Sequence, residues 1–175
     1  MTVFFTIGHS TRSTDELVVM LRDAGVTTLV DVRTIPRSRT NPQFNQDALP
    51  AALAKAGIDY VHIPELGGLR SRRKGEEGSP NTFWDNASFR NYADYAMSAP
   101  FRSGLDRLRK LGAAHRCAMM CAEAVWWRCH RRIIADYLMR AGEEVIHLMN
   151  PGRQEPARVT LAAREIEPGV LVYQK

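Results

Sequence analysis

The sequence predicts a single α/β domain of three layers, in which helices cover both faces of a mostly parallel sheet of about five strands. Short apolar, β-rich stretches alternate with amphipathic ones, and most connections between them are short. With 175 residues the chain has the length of one domain with a substantial core, so residues 1–175 are expected to fold as one unit.

The expected strands and helices follow from the spacing of apolar residues. Strands are expected at residues 3–8, 28–32, 59–63, 117–121 and 144–148. The run at 117–121 is apolar almost throughout, which suits a strand buried on both faces of a parallel sheet. Ser13 and Glu16 form a capping box at the first helix. Helices are expected at residues 14–24, from 45 or 46 to 56, and at 88–96, 100–111 and 128–141.

Two stretches lack such periodicity. Residues 64–86 are rich in Gly, Arg, Lys, Glu, Ser and Pro, and a loop this long predicts a basic lid or binding loop. Phe83 and Trp84 near its end are expected to pack against the body of the domain. Residues 151–175 are expected to be an irregular tail, with 170–173 as a candidate edge strand.

Composition and charge limit the location and the partners. No apolar run is long enough to cross a bilayer and the N-terminus has no signal-peptide pattern, so a cytoplasmic protein without a membrane partner is expected. The three cysteines all lie within residues 117–129 and form no disulfide framework, which favours a reducing compartment. The net charge of +5, with arginines clustered near strand ends, favours an anionic partner, nucleic acid included.

Polar residues follow the carboxyl ends of four predicted strands, and ligands bind at that edge of open α/β sheets. Because these residues come from separate strands, their coincidence predicts a real site. They are His9, Ser10, Asp31, Arg33, His62, Glu65, Cys121, Glu123 and the helix start at residues 129–131.

Cys121 is the first candidate for a reactive atom. A helix N-terminus and the nearby Arg128 and Arg131 favour the thiolate, so its pKa is expected to be lowered. Glu123 is the alternative, as a general base, and His9 and His130 are the candidate proton carriers. The residues expected to hold the anion are Ser10, Asp31, Arg33, Arg37, Ser38, His62, Arg128 and Arg131.

These residues indicate a transferase or hydrolase that acts on a small molecule or nucleotide bearing phosphate or carboxylate. Other interpretations stay open. The cysteines could be small core residues, and the pocket could bind a nucleotide or a nucleic-acid end without chemistry, with residues 70–74 on phosphates. No cofactor is predicted, although a metal could use Cys121, Glu123, Cys129 and His130, which are ligand types that zinc accepts. The sequence does not decide the oligomeric state.

Four motifs carry a resemblance to a known family. They are residues 6–10 (TIGHS), Asp31-Val32-Arg33 with Pro36 and Ser38, residues 62–68 (HIPELGG), and Met120-Cys121-Ala122-Glu123 followed by Cys129-His130-Arg131. In this order, from about residue 3 to 148, the chain resembles the domain of unknown function 488 family. The resemblance implies the fold and the site but no reaction. This chain departs from the expected pattern at residues 124–127, where Ala-Val-Trp-Trp replaces polar or acidic residues.

A looser likeness is to rhodanese and cysteine-phosphatase domains, in which a strand also delivers a cysteine into a loop facing an arginine. The spacing between Cys121 and Arg128 is one residue longer than their Cys-x5-Arg pattern. The likeness is therefore one of fold alone.

Overall fold

The computed structural model describes residues 1–71 and 78–175, and these form a mixed α/β structure around a six-stranded sheet. The first five strands are mutually parallel, in the order β3-β2-β4-β1-β5, and β6 adds an antiparallel edge to β5. The predicted mostly parallel sheet is confirmed. The strands are β1 (Val3–Gly8), β2 (Thr28–Asp31), β3 (Asp59–His62), β4 (Cys117–Cys121), β5 (Glu144–Asn150) and β6 (Arg153–Pro156).

Helices cover both faces of this sheet, which confirms the three layers. Successive residues of β1 point to opposite faces, since Phe4 belongs to one buried apolar cluster and Phe5 to the other. The Phe5 cluster takes its helical residues from α1 and α2, and the Phe4 cluster from α3, α4 and α5. The helices are α1 (Thr14–Asp23), α2 (Leu49–Lys55), α3 (Ala87–Tyr95), α4 (Ala99–Ala114) and α5 (Arg131–Arg140).

Two helices begin later than expected. Helix α2 starts at Leu49, because Asn45 is used to fix the preceding loop: its Oδ1 accepts the backbone N–H of Ser38. Helix α5 starts at Arg131, since a separate 3-10 turn occupies Trp126–Arg128. The later start places Arg128 outside the helix and exposes it.

The stretch 151–175 is more regular than expected. It contains β6, the antiparallel edge strand, and a separate hairpin of β7 (Ala163–Glu167) and β8 (Val170–Tyr173). Residues 170–173 do form a strand, but it pairs with β7 and not with the main sheet. All four of its residues are buried, and Tyr173 donates its hydroxyl to Asp136 on α5 at 2.8 Å. Strand β8 is therefore held by contacts with α5 and by pairing with β7, and not by the edge of the main sheet.

The described parts of the expected basic loop are attached to α3. The hydroxyls of Tyr92 and Tyr95 donate to the carbonyls of Leu66 and Glu65, and the Arg70 guanidinium lies 3.7 Å from the centre of the Tyr95 ring. Trp84 packs in the core, with its ring stacked on that of Phe89. Arg72, Arg73 and Lys74, the other basic residues of this loop, lie outside the described residues.

None of the helices in residues 1–71 and 78–175 has the length and apolarity that a membrane span requires.

His147 is buried on β5, between β1 and β6. It pairs with Thr6 of β1, whose Oγ1 lies 2.6 Å from its Nδ1, and its ring stacks on Trp126. Burial, and then the charge of Arg131, lower the pKa of His147 to about 3.

We predict that His147→Asn reduces the loss of stability in acid. Between pH 6.5 and 3, His147 of the unfolded chain binds a proton that the native chain lacks. The free energy of unfolding therefore decreases by up to about 1.4 kcal/mol for each unit by which the pH is lowered. Urea denaturation across this range measures the slope, with His115→Asn at an exposed position as control. Equal slopes in His147→Asn and wild type would contradict the prediction.

Candidate functional site

A cavity of about 410 Å³ opens where β1, β2 and β4 end. This is the sheet edge at which the sequence predicted a site. Its lining comes from the segments that follow these strands and β3, from the start of α3 and from the segment before α5. The lining residues are His9, Arg33, Thr34, Ile35, Arg37, Ser38, Gly68, Leu69, Ser88, Phe89, Cys121, Ala122, Glu123, Arg128, Cys129 and His130.

Two thiols and a buried guanidinium meet at the inner end of the cavity. Cys121 ends β4 and Cys129 precedes α5, and both sulfurs contact Arg131. Nη1 of Arg131 donates to Cys121 Sγ at 2.7 Å, and the Arg131 backbone N–H donates to Cys129 Sγ at 3.4 Å. Arg131 is completely buried. One residue therefore contacts both sulfurs, through its side chain and through its backbone.

The two thiols have opposite pKa shifts. Burial raises the pKa of Cys121 well above its usual value. Burial also opposes ionisation of Cys129, but the hydrogen bond from Cys121 and the charge of Arg131 outweigh it and lower the pKa of Cys129. The expectation of a lowered pKa at Cys121 is wrong, because burial of this thiol outweighs the opposing charge of Arg131. Since the two thiols interact, the pKa for loss of the first proton is a property of the pair and not of one cysteine.

His130 lies against Cys129 in a defined orientation. Its Nε2 donates to the carbonyl of Val32 at 2.8 Å, which leaves Nδ1 as the acceptor, 3.5 Å from Cys129 Sγ. Burial lowers the pKa of His130, so the ring is a neutral base. A Cβ on Gly68 would lie 2.5 Å from this Nδ1, which explains why the loop carries glycine there.

Arg33 is held by protein groups. Asp31 is fully buried and accepts from Nε and Nη2 of Arg33 at 2.9 and 2.6 Å, while the Tyr60 hydroxyl donates to the same carboxylate. Nη2 also donates to the carbonyl of Phe44. Asp31 thus neutralises Arg33 and fixes its position beside the cavity.

His9 lies next to Arg33 in the lining of the cavity. Its Nδ1 lies 2.9 Å from the Ser10 carbonyl and its Nε2 lies 3.3 Å from Nη1 of Arg33, so a neutral ring that donates from Nδ1 fits both contacts. Burial lowers the pKa of His9, although the bond to Ser10 opposes this shift. His9 is therefore neutral near pH 7.

The turn after β1 is tightly fitted to the turn after β4. A Cβ on Gly8 would lie 1.8 Å from the carbonyl oxygen of Glu123, so only glycine fits without a backbone shift. Ser10 has a positive φ of 47°, a conformation that costs energy for a residue with a side chain. The strained backbone of Ser10 and the close approach of Gly8 to the Glu123 carbonyl therefore both lie near the thiols.

Backbone carbonyls hold the loop after Cys121 on two sides. Those of Cys121 and Ala122 accept the N–H groups of His9 and Ser10. The carbonyls of Glu123 and Ala124 accept hydrogen bonds from Nη1 and Nη2 of Arg131, at 2.6 and 3.1 Å. Because a trans peptide directs its N–H opposite to the preceding carbonyl, the N–H groups of Ala122 and Glu123 point away from β1, toward the end of β2.

Most of the expected site residues line the cavity. Arg37, Arg128 and the Glu123 side chain are exposed at its opening. Five expected residues do not line the cavity: Ser10, Asp31, His62, Glu65 and Arg131. All but Glu65 hold the backbone or the charged groups of the wall. His62, for example, lies with Nε2 2.7 Å from the carbonyl of Arg33.

The sequence analysis missed part of the lining. Thr34, Ile35 and Leu69 lie next to motif residues and could have been found from those motifs. Ser88 and Phe89 could not, because only the docking of α3 brings them to the strand ends.

Within residues 1–71 and 78–175 no three His, Cys, Asp or Glu side chains are grouped as ligands for a metal ion. The expected alternative of Cys121, Glu123, Cys129 and His130 is not such a group. Arg131 occupies the position beside the sulfurs where a cation would bind.

A family model described as domain of unknown function DUF488 matches residues 13–138, which is more than half of the chain. The chain belongs to the DUF488 family. The match includes Asp31, Arg33 and both cavity cysteines, but β1 with His9 precedes it. No curated protein and no solved structure matches the DUF488 chain, so the likeness to rhodanese and phosphatase domains has no further support.

We predict that Asp31→Asn lowers the free energy of unfolding by about 3–5 kcal/mol, because it leaves the Arg33 guanidinium buried without its counter-charge. Urea denaturation measures the loss. Asp85 is the matched control, since its ion pair with Lys175 is exposed and Asp85→Asn should leave stability unchanged within error. A loss at Asp31 no larger than at Asp85 would show that the buried pair is dispensable.

Proposed function

We propose that this DUF488 protein is an enzyme that uses a cysteine thiolate on a small molecule bearing phosphate or carboxylate. One observation carries the proposal: the completely buried Arg131 contacts both cavity thiols, Cys121 through its guanidinium and Cys129 through its backbone N–H. Among the described residues no carboxylate forms an ion pair with it. A buried charge is costly unless it is paired, so the thiols are its natural counter-charge once one of them ionises.

The neighbouring groups suit a nucleophile. Because the pKa of Cys129 is lowered, its thiolate is populated closer to neutral pH than that of an ordinary thiol. Nδ1 of His130 can accept the thiol proton during ionisation. The thiolate would attack an acyl carbon or a phosphorus, the leaving group would depart with the bonding electrons, and water or an acceptor would then free the sulfur.

The opening of the cavity supports an anionic substrate. Arg37 and Arg128 are exposed there. Arg33 is already neutralised by Asp31, so the two exposed arginines would supply most of the attraction. Such charge-assisted bonds favour carboxylate and phosphate groups.

Nucleic acid is the weaker candidate. Of the basic residues expected on phosphates, Arg70 is engaged within the protein, where it donates to the carbonyls of Gly67 and Pro64. We therefore propose small anions and nucleotides as the first partners.

The three cysteines are free, in keeping with a reducing compartment such as the cytoplasm.

We predict that iodoacetamide labels the cavity pair at a lower pH than an ordinary thiol, whose pKa is about 8.5. Trypsin cuts after Arg116, Arg128 and Arg131 and leaves Cys129 on its own peptide, while a Cys117→Ser background makes the label on Cys121 unambiguous. Mass spectrometry at each pH gives the labelling rate.

Cys117 is the internal control for this measurement. It lies on β4 away from the cavity lining, and burial raises its pKa to about 11, so it should label only at high pH or after unfolding. If the cavity pair reacts with the pH dependence of a free thiol, the proposed thiolate is wrong.

We predict that Arg37→Gln and Arg128→Gln each weaken anion binding about tenfold, the equivalent of one charge-assisted hydrogen bond. Calorimetric titrations with inorganic phosphate, acetate and AMP measure the affinity. Arg107→Gln on the exposed face of α4 is the matched control, since it removes the same charge elsewhere. Equal losses in all three variants would mean that net charge, and not the cavity, attracts the anion.

A further inference from the structure

We propose that Cys121 and Cys129 form a reversible disulfide by exchange with small disulfides, so that the cavity is also a dithiol redox site. This inference rests on the cavity thiols of the proposed function, but not on their lowered pKa or on the anionic substrate. It adds a second chemistry to the same two sulfurs, with low-molecular-weight disulfides as the reacting class.

The sulfurs are already placed for this reaction. Both accept a hydrogen bond from Arg131, although Cys121 belongs to β4 and Cys129 to the segment before α5. Both line the cavity, so a small molecule that enters it meets both. Cys117 lies on the same strand but away from the cavity, which leaves it without a part in the exchange.

The two thiols have the unequal roles that exchange requires. The Cys129 thiolate attacks one sulfur of a small disulfide; a mixed disulfide forms and one small thiolate leaves. The thiol of Cys121 then loses its proton and attacks Cys129 Sγ, and the second small thiolate leaves. Two protein thiols become one disulfide, and the small disulfide is reduced to two thiols.

The reduced state gains a specific stabilisation from Arg131. A thiolate compensates the buried guanidinium, whereas a disulfide carries no charge and leaves that guanidinium unpaired. A dithiol stabilised in this way forms a disulfide that is readily reduced. The site is therefore expected to act as an oxidant when oxidised and not as a permanent structural bridge.

Equilibration with defined ratios of reduced and oxidised glutathione tests the proposal. We use the Cys117→Ser protein, quench with acid, block free thiols and digest with trypsin, which separates residues 117–128 from residues 129–131. The expected product is a disulfide between these two peptides, formed reversibly as the glutathione ratio changes. Single Cys121→Ser and Cys129→Ser variants remove one partner, so the variant that retains Cys129 should stop at the mixed disulfide with glutathione.

Arg131→Met tests the charge argument. Without the buried cation the reduced form loses its stabilisation, and the equilibrium should shift toward the disulfide by at least about tenfold. If this variant does not fold, the cysteine variants still decide the question, because they leave Arg131 in place.

The outcomes separate this inference from the proposed function. Low-pH alkylation of the pair without any Cys121–Cys129 disulfide overturns the inference and leaves the thiolate enzyme standing. A disulfide together with ordinary alkylation behaviour supports the exchange and removes the proposed nucleophile. A Cys117→Ser protein that keeps both cavity cysteines and stops at the mixed disulfide overturns the inference directly.

Discussion

The candidate site depends on the buried guanidinium of Arg131. It donates to Cys121 Sγ and to the carbonyls of Glu123 and Ala124, so one side chain fixes both the sulfur and the loop that follows it. Its Nε has no hydrogen-bond partner in the described part of the chain. Neutral carbonyls and one unpaired N–H do not compensate a full positive charge in the interior. The charge state of the thiols and the stability of the fold are therefore linked through this residue.

The position of Arg131 depends in turn on the rest of α5. Asp136, one and a half turns further along, is fully buried and accepts the Tyr173 hydroxyl of β8 and the backbone N–H of Thr160. The Tyr137 hydroxyl lies 3.1 Å from the backbone nitrogen of Leu171 and accepts its N–H. The C-terminal hairpin of β7 and β8 thus holds the helix that carries Arg131. A stretch that the sequence suggested was irregular contributes in this way to the geometry of the site.

The sequence predicted the sheet, its layers and the edge at which polar groups collect, because strand periodicity and chain order determine these features. It did not predict which thiol has the lowered pKa. That property depends on a through-space contact between Cys121 and Cys129, and on a 3-10 turn that moves Arg128 outward and leaves Arg131 beside the sulfurs. Nor could spacing show that Asp31 neutralises Arg33, since an ion pair and a ligand-binding arginine have the same sequence pattern. Side-chain roles of this kind are decided by tertiary contacts that no local pattern records.

The arginines of the candidate site lie at two depths, two of them buried and two exposed. Arg33 and Arg131 are buried; Asp31 neutralises the first, and the thiol pair is the proposed counter-charge of the second. Arg37 and Arg128 are exposed at the opening and interact across water. Salt screens charges that face solvent much more than buried ones, so ionic strength should act on the arrival of an anion and little on the ionisation of the thiols. The proposed anion binding and the proposed thiol chemistry are in that sense under separate electrostatic control.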